Sequence, residues 1–260
     1  MKFFPFLLTA LLSFCWLPIQ AQRTYAVIVG VSDYQLGRPG KGDLTFSDDD
    51  AELFYRLLRS PMSGSIPSEN IILLTNSRAS RANIMRAMTL FQQATPRDRI
   101  IFYFSGHGAP GMLLPYDYTP DARVTLYDRD VKAAFRQSAA RTKLLLADAC
   151  MAGTMRNRQY PSRPPAVSSS TDNSTVVVLL SSRNEETSRE GSNLQQGFFT
   201  HYLVKGATGD ADINPRNGIV TIKELYDYVR QGVRQESQNQ QTPVAYGRFP
   251  ENLPFSTVKR

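Results

Sequence analysis

Two short runs hold the residue types that could pair a thiolate with its base. In Lys143-Leu-Leu-Leu-Ala-Asp-Ala-Cys-Met-Ala-Gly153 the apolar stretch Leu144 to Ala147 reads as a buried strand that delivers Asp148, Ala149 and Cys150 to its end. Ile100-Ile-Phe-Tyr-Phe-Ser-Gly-His-Gly108 has the same build and ends in a glycine-flanked histidine, His107. Strand ends of an open α/β sheet are where such folds place their ligands. A thiol hydrolase needs a thiolate near neutral pH, a proton donor for the leaving amine and hydrogen-bond donors for the developing oxyanion. Cys150, His107 and the backbone N–H groups of Gly108 and Cys150 can fill those roles, and the glycines beside His107 let backbone approach a substrate closely.

Each residue also has a plain structural role open to it. A free cysteine is most often a small buried hydrophobe, and a turn histidine is often simply hydrogen-bonded. The pairing of the two at the ends of two apolar strands is what favours chemistry. The other histidine, His201, lies inside the helical pattern Phe198 to Val204 and reads as a packing residue. Two histidines and one cysteine make no convincing zinc site without carboxylates, so no metal is expected in the chemistry. An α/β-hydrolase elbow is a poor fit, because Asp148 stands where that turn needs glycine.

The elements that must position these residues follow a regular alternation. Tyr25 to Val31 is a continuous apolar run and reads as the first central strand. A glycine-rich loop, Ser32 to Thr45, precedes Ser47-Asp-Asp-Asp50, which supplies an N-cap and negative charge to a helix carrying Leu53, Phe54, Leu57 and Leu58. Ile71 to Thr75 is a second strand, and Ser80 caps a helix with Ile84, Ala87, Met88 and Phe91 on one face. Arg99 to Ser105 is the third strand, Val131 to Ala140 a helix, and the Cys150 strand follows. Strand and helix in alternation imply a parallel sheet with right-handed crossovers. Beyond a Pro-, Ser- and Arg-rich stretch, residues 154–174, that reads as an exposed linker, Val176 to Leu180 is a strand and Ser181 to Ser192 a polar loop. Phe198 to Val204 and Thr221 to Val233 read as helices, the second with a Thr221/Glu224 capping box. Thr242 to Tyr246 reads as a last short strand.

At 260 residues the chain can bury one sizeable core. Lys2 followed by the apolar Phe3 to Leu17 and by Pro18-Ile-Gln-Ala21 reads as a secretory signal within residues 1–22, cut after Ala21, which leaves a body of residues 23–260. Export to the periplasm or beyond, with no stable membrane insertion once the signal is gone, is the expectation. Cys15 leaves with the signal, so Cys150 has no intramolecular disulfide partner. The formal charge of +7 comes from scattered Lys and Arg, with no basic run of five or more, which argues against a nucleic-acid partner.

Phe102-Tyr-Phe-Ser-Gly-His-Gly108 followed by Leu144-Leu-Leu-Ala-Asp-Ala-Cys-Met-Ala-Gly153 resembles the caspase-like peptidase family, closest to metacaspases and their bacterial relatives. Tyr25-Ala-Val-Ile-Val-Gly-Val-Ser-Asp-Tyr34 is similar to its first strand and Asp50-Ala51 to its helix start. Gln196 to Leu203 and Gly218 to Leu225 are similar to its C-terminal part. The resemblance implies an α/β three-layer sandwich with a six-stranded, mostly parallel sheet flanked by helices. It implies a cysteine endopeptidase acting on protein or peptide substrates, with Cys150 as nucleophile and His107 as acid/base. Where metacaspases usually carry Ser, His and Ser, this chain has Ala149, Met151 and Ala152, which bears on pocket shape and regulation more than on chemistry.

The resemblance also implies a specificity pocket. In metacaspases the acid two residues before the cysteine and one at the first-helix start accept an arginine or lysine side chain; the matching residues are Asp148 and Asp50, with Ser105 in the same pocket. A carboxylate out of water gives guanidinium a strong charge-assisted contact. The alternatives are a preference for aspartate held by Arg183 or Arg189, a silent caspase-fold interaction module, and a transferase sharing the acyl-enzyme step. Some metacaspases depend on calcium, and Asp48-Asp-Asp50 raises that possibility as an activator, although a contiguous run rarely turns all its side chains to one ion. Asp210-Ala-Asp-Ile-Asn214 begins like an EF-hand loop, but Pro215 and Thr221 occupy its glycine and glutamate positions, so a surface loop is expected. Arg156, Arg158 and Arg163 in the linker are candidate sites of self-cleavage.

Overall fold

The computed structural model describes residues 22–35, 43–109, 111–119, 124–150, 174–183, 186, 188–191 and 193–258. Six strands form the central sheet: β1 (Thr24–Gly30), β2 (Ile71–Thr75), β3 (Arg99–Ser105), β4 (Thr142–Asp148), β5 (Thr175–Leu180) and β6 (Val244–Arg248). Their order is β6-β5-β4-β3-β1-β2, all parallel except β6, which runs antiparallel to β5.

Alternation along the strands builds two cores. In β1, Tyr25, Val27 and Val29 join a cluster with Ile84, Phe91 and Phe135, while Ala26 and Ile28 join another with Phe54, Phe199 and Leu225. Helices α2 (Arg81–Ala87) and α3 (Asp128–Gln137) therefore cover one face. Helices α1 (Ser47–Arg59), α4 (Phe198–Lys205) and α5 (Ile222–Glu236) cover the other. The result is the expected three-layer α/β sandwich.

The topology creates a crevice. The helix after β1 lies on one face and the helix after β3 on the other, so neighbouring strands β1 and β3 send their chains apart at their carboxyl ends, which is where open sheets bind ligands. Gly30 ends β1, and a Cβ there would run into Ser47 O and the Ala51 side chain. Glycine at this position lets α1 pack tightly on the strand it follows.

Some boundaries differ from the sequence reading. Helix α3 begins at Asp128 and ends at Gln137 because the Asp130 carboxylate accepts the Tyr127 N–H at 3.0 Å, capping an earlier start. Ser47 is the first residue of α1, with Phe46 at the N-cap position and no side-chain cap. The last strand of the sheet runs two residues later than Thr242 to Tyr246, because Pro243 has no N–H for a ladder. Two segments not anticipated, Ile219–Thr221 and Pro254–Thr257, pair antiparallel beside α5. The Ser80 cap and the Thr221/Glu224 capping box are present as read, with Asn83 N–H to Ser80 Oγ at 3.3 Å and Thr221 N–H to Glu224 Oε2 at 2.9 Å.

Candidate functional site

Register brings the two candidate residues together. Ser105 and Asp148, the last residues of β3 and β4, are direct partners across the parallel ladder. His107 and Cys150 each stand two residues beyond that pair, and both line a pocket of about 70 Å³ above the strand ends. Ser47, Asp50, Ser105, Asp148 and Gly197 also line it, together with Ser188, Arg189 and Glu190. Of the residues anticipated from sequence, Cys150, His107, Asp50, Asp148 and Ser105 thus meet at one place. Gly108 adjoins His107 and opens a two-residue strand opposite Leu113. Arg156, Arg158 and Arg163 lie outside the described residues, as do the signal and most of the linker.

The floor of the pocket is acidic. Asp50 is 1% exposed and Asp148 5%. Ser105 Oγ donates to Asp50 Oδ2 at 3.0 Å, and Gly197 N–H donates to both Asp50 oxygens at 3.1 and 3.2 Å. Asp148 Oδ2 accepts from Thr200 N–H at 3.1 Å and Thr200 Oγ1 at 2.9 Å; Ser188 Oγ donates to Oδ1 at 2.6 Å. Burial pushes the Asp50 carboxyl well above the usual carboxylate range, and the nearby Asp148 charge adds to that. Burial raises Asp148 as well, against hydrogen bonds from Ser188 and Thr200 that lower it. Neither carboxyl has a Lys or Arg counter-charge among the described residues. Among the described residues the pair is therefore met by neutral hydrogen-bond donors alone, which leaves it favouring a bound proton.

The three adjacent aspartates do three different things. Asp48 accepts from Ser32 Oγ and from Asn76 Nδ2 at 2.8 Å, Asp49 faces solvent, and Asp50 enters the pocket. They do not converge on one point, and among the described residues no group of three or more His, Cys, Asp or Glu side chains is arranged to hold a metal ion. Asp212 takes the N–H groups of Asn217 and Gly218 at 3.0 Å each, which closes the Asp210 to Asn214 segment as a surface turn. His201 Nδ1 lies 2.9 Å from Gln196 Oε1 and its ring packs edge-on to Tyr202, in keeping with a packing role.

The thiol is half-buried. Burial pushes Cys150 up, the Ser188 N–H that donates to its Sγ at 3.1 Å pulls it down, and the Asp148 charge pushes it up again. The His107 backbone N–H donates to Tyr34 Oη at 2.7 Å, with the two ring centroids 5.1 Å apart. Ser188, Glu190, Gly197, Thr200 and Tyr34 were not singled out from sequence. Four belong to the segment after β5, which reads as a polar loop leading to a helix. Gly197 and Thr200 fall within the stretch similar to the family's C-terminal part, but that likeness assigns them no role, and contacts across the fold leave no local spacing signal. In fact Glu190–Gly191 pairs with Gln196–Gly197, and Glu190 accepts the Thr45 and Phe46 N–H groups at 2.8 and 3.0 Å, fastening this wall to the start of α1. Arg189 lines the pocket with an exposed side chain, whereas Arg183 is exposed and not part of the lining.

Known proteins show the same architecture. A structure of a Geobacter sulfurreducens protein from a structural genomics programme superimposes with a TM-score of 0.62 at 16% identity, covering 91% of this chain and all of that one. Caspase-1 from Spodoptera frugiperda superimposes with a TM-score of 0.61 at 12% identity, covering 92% of this chain and 91% of that one. At such identities the likeness concerns the fold. No curated protein sequence matches significantly. The profile of the caspase domain matches residues 23–253, nearly the whole of the described body. The chain belongs to the caspase domain family.

Proposed function

We propose that the protein is a cysteine endopeptidase that cuts after arginine or lysine. The observation that carries this reading is a single pocket in which Cys150 and His107 stand over the buried carboxyl groups of Asp50 and Asp148. Membership of a family whose members are mostly cysteine peptidases supports the chemistry. The Cys150 thiolate attacks the carbonyl of the residue whose side chain fills the pocket. As the tetrahedral species collapses, the C–N bond breaks and His107 gives its proton to the leaving amine. Neutral His107 then takes a proton from the water that hydrolyses the thioester.

Backbone N–H groups of Gly108 and Cys150 hold the oxyanion. The His107 carbonyl accepts Leu114 N–H at 3.0 Å, and the alternation of an antiparallel ladder then turns the Gly108 N–H away from its neighbour Leu113. A guanidinium or ammonium group supplies a counter-charge that no Lys or Arg among the described residues gives Asp50 and Asp148, with Ser105 fixing Asp50. The reading includes export with removal of the N-terminal signal, and self-cleavage after Arg156, Arg158 or Arg163.

A fluorogenic panel with Arg, Lys or Asp before the scissile bond, run with and without calcium, tests the proposal. Arg and Lys substrates are hydrolysed and Cys150→Ala is silent. Because Arg189 also lines the pocket, the Asp arm is informative: hydrolysis confined to it overturns the specificity. Failure of Cys150 to react with a peptide carrying a thiol-reactive warhead overturns the peptidase and favours an interaction module. Mapping the termini of wild type and Cys150→Ala after incubation reads out both signal removal and self-cleavage.

A further inference from the structure

The wall formed by the segment after β5 reaches both the sulfur and the acid pair through one residue. Ser188 N–H donates to Cys150 Sγ at 3.1 Å, while its hydroxyl donates to Asp148 Oδ1 at 2.6 Å and lies 2.7 Å from Ser181 Oγ. Ser181 clamps the residue before the cysteine, accepting the Ala149 N–H at 3.0 Å and meeting the Ala149 carbonyl at 3.1 Å. On the other side of Ser188, the Arg189 N–H donates to Oε1 of the buried Gln241 at 3.0 Å, and Gln241 Nε2 donates to the Ser181 carbonyl at 3.0 Å. The amide over the sulfur is therefore held from its side chain and from the next peptide. An N–H aimed at sulfur favours thiolate over thiol.

We propose that Ser188 is a positioning residue for the Cys150 nucleophile: its hydroxyl, tied to Asp148 and Ser181, holds its backbone N–H on the sulfur, where it stabilises the thiolate. The proposal rests on the reading of Cys150 as the nucleophile. The other charged or titratable groups lining the pocket with Cys150 are His107, Asp50, Asp148, Arg189 and Glu190. Of these, Asp148 loses the Ser188 hydroxyl in Ser188→Ala, which raises Asp148 and weakens its upward push on Cys150, so an upward move of the midpoint reports the displaced N–H and not Asp148.

The test is the rate of alkylation by iodoacetamide against pH, on the full chain, for wild type, Ser188→Ala and Ser188→Thr. In Ser188→Ala the midpoint moves up by about one pH unit and the rate below it drops about tenfold, and Ser188→Thr restores the wild-type profile. A Ser188→Ala profile superimposed on wild type overturns the proposal. A second measurement does not depend on that variant folding: the Ser188 amide proton of wild type shifts downfield as Cys150 ionises, and the shift disappears in Cys150→Ala. An amide that ignores the ionisation of Cys150 overturns the proposal too. Neither readout needs peptide hydrolysis, so a chain that titrates as described yet cuts no peptide loses the peptidase reading and keeps this one.

Discussion

Asp50 and Asp148 face each other across Gly197: its N–H donates to both oxygens of Asp50, and a side chain built on it would run into Asp148 Oδ2 and lie 2.8 Å from Asp50 Oδ2. They come from α1 and β4, elements nearly a hundred residues apart, and share one buried site. Burial first, and the neighbouring charge second, make ionising both carboxyl groups costly, and the raised Asp50 expresses that cost in protons.

The buried acid pair therefore binds protons more tightly than the unfolded chain does. The sign follows from linkage: with more protons bound in the folded state, stability is highest below the ordinary carboxylate value of 3.8, falls as pH rises toward the raised folded value, and stays low above it. A bound cation favours the ionised pair. Wild type is expected to melt at a lower temperature as pH rises from about 4 to 7, and Asp50→Asn to lose most of that dependence. The same variant is expected to lower kcat/KM for an arginine substrate by about 30- to 5000-fold, the range for removing one partner of a buried charge pair. Melting curves across pH for both proteins, with substrate kinetics beside them, check this.

Gly197 has no room for a side chain, so Gly197→Ala is expected to push the two acids apart and close the pocket. Overpacking of this kind costs about 1 to 3 kcal/mol. The functional mark is a raised KM for arginine and lysine substrates with alkylation of Cys150 by a small reagent unchanged. Wild-type KM in a folded Gly197→Ala protein would mean that the cation binds elsewhere.

These outcomes bear on what a sequence can disclose. The strand of Leu144 to Ala147 and the strand ending at Ser105 are legible because continuous apolar runs have one sensible home, the middle of a parallel sheet. Their ends then fix where Cys150 and His107 must go, so the pair was readable. Asp50 and Asp148 were readable by family likeness alone; in sequence they are a helix-capping acid and an acid in a strand. Ser188 and Glu190 were not readable, because their roles arise from bonds spanning 38 and more residues and nothing local distinguishes them from other polar loop residues. Gly197 looks like an ordinary glycine before a helix until both acids are seen around it.

Glu190 joins the pocket wall to α1 by accepting two backbone N–H groups just before the helix. Glu190→Ala removes an anionic cap from that terminus, at a cost of about 1 to 2 kcal/mol, visible as a lower melting temperature. Its charge also adds to the upward push on Asp50 and Asp148. Losing it is expected to move the pH dependence of melting to lower pH. A purely structural strut would lower the melting temperature and leave the pH dependence in place.

Tyr34 supports the histidine from below. Its buried hydroxyl accepts the His107 N–H, its ring packs against the imidazole, and Gly106 is needed between them because a Cβ there would come within 2.9 Å of Tyr34 Oη and of the Phe104 ring. Tyr34→Phe keeps the ring and removes the acceptor, so the backbone N–H loses this bond at a cost of about 1 to 3 kcal/mol. The imidazole then samples positions away from the thiol, and small displacements of a catalytic group reduce rate steeply. A drop in kcat of about 10- to 100-fold is expected, with KM for an arginine substrate little changed because Asp50 and Asp148 are untouched. The opposite split, a raised KM with kcat preserved, would make Tyr34 part of substrate binding and leave the placement of His107 to its other contacts.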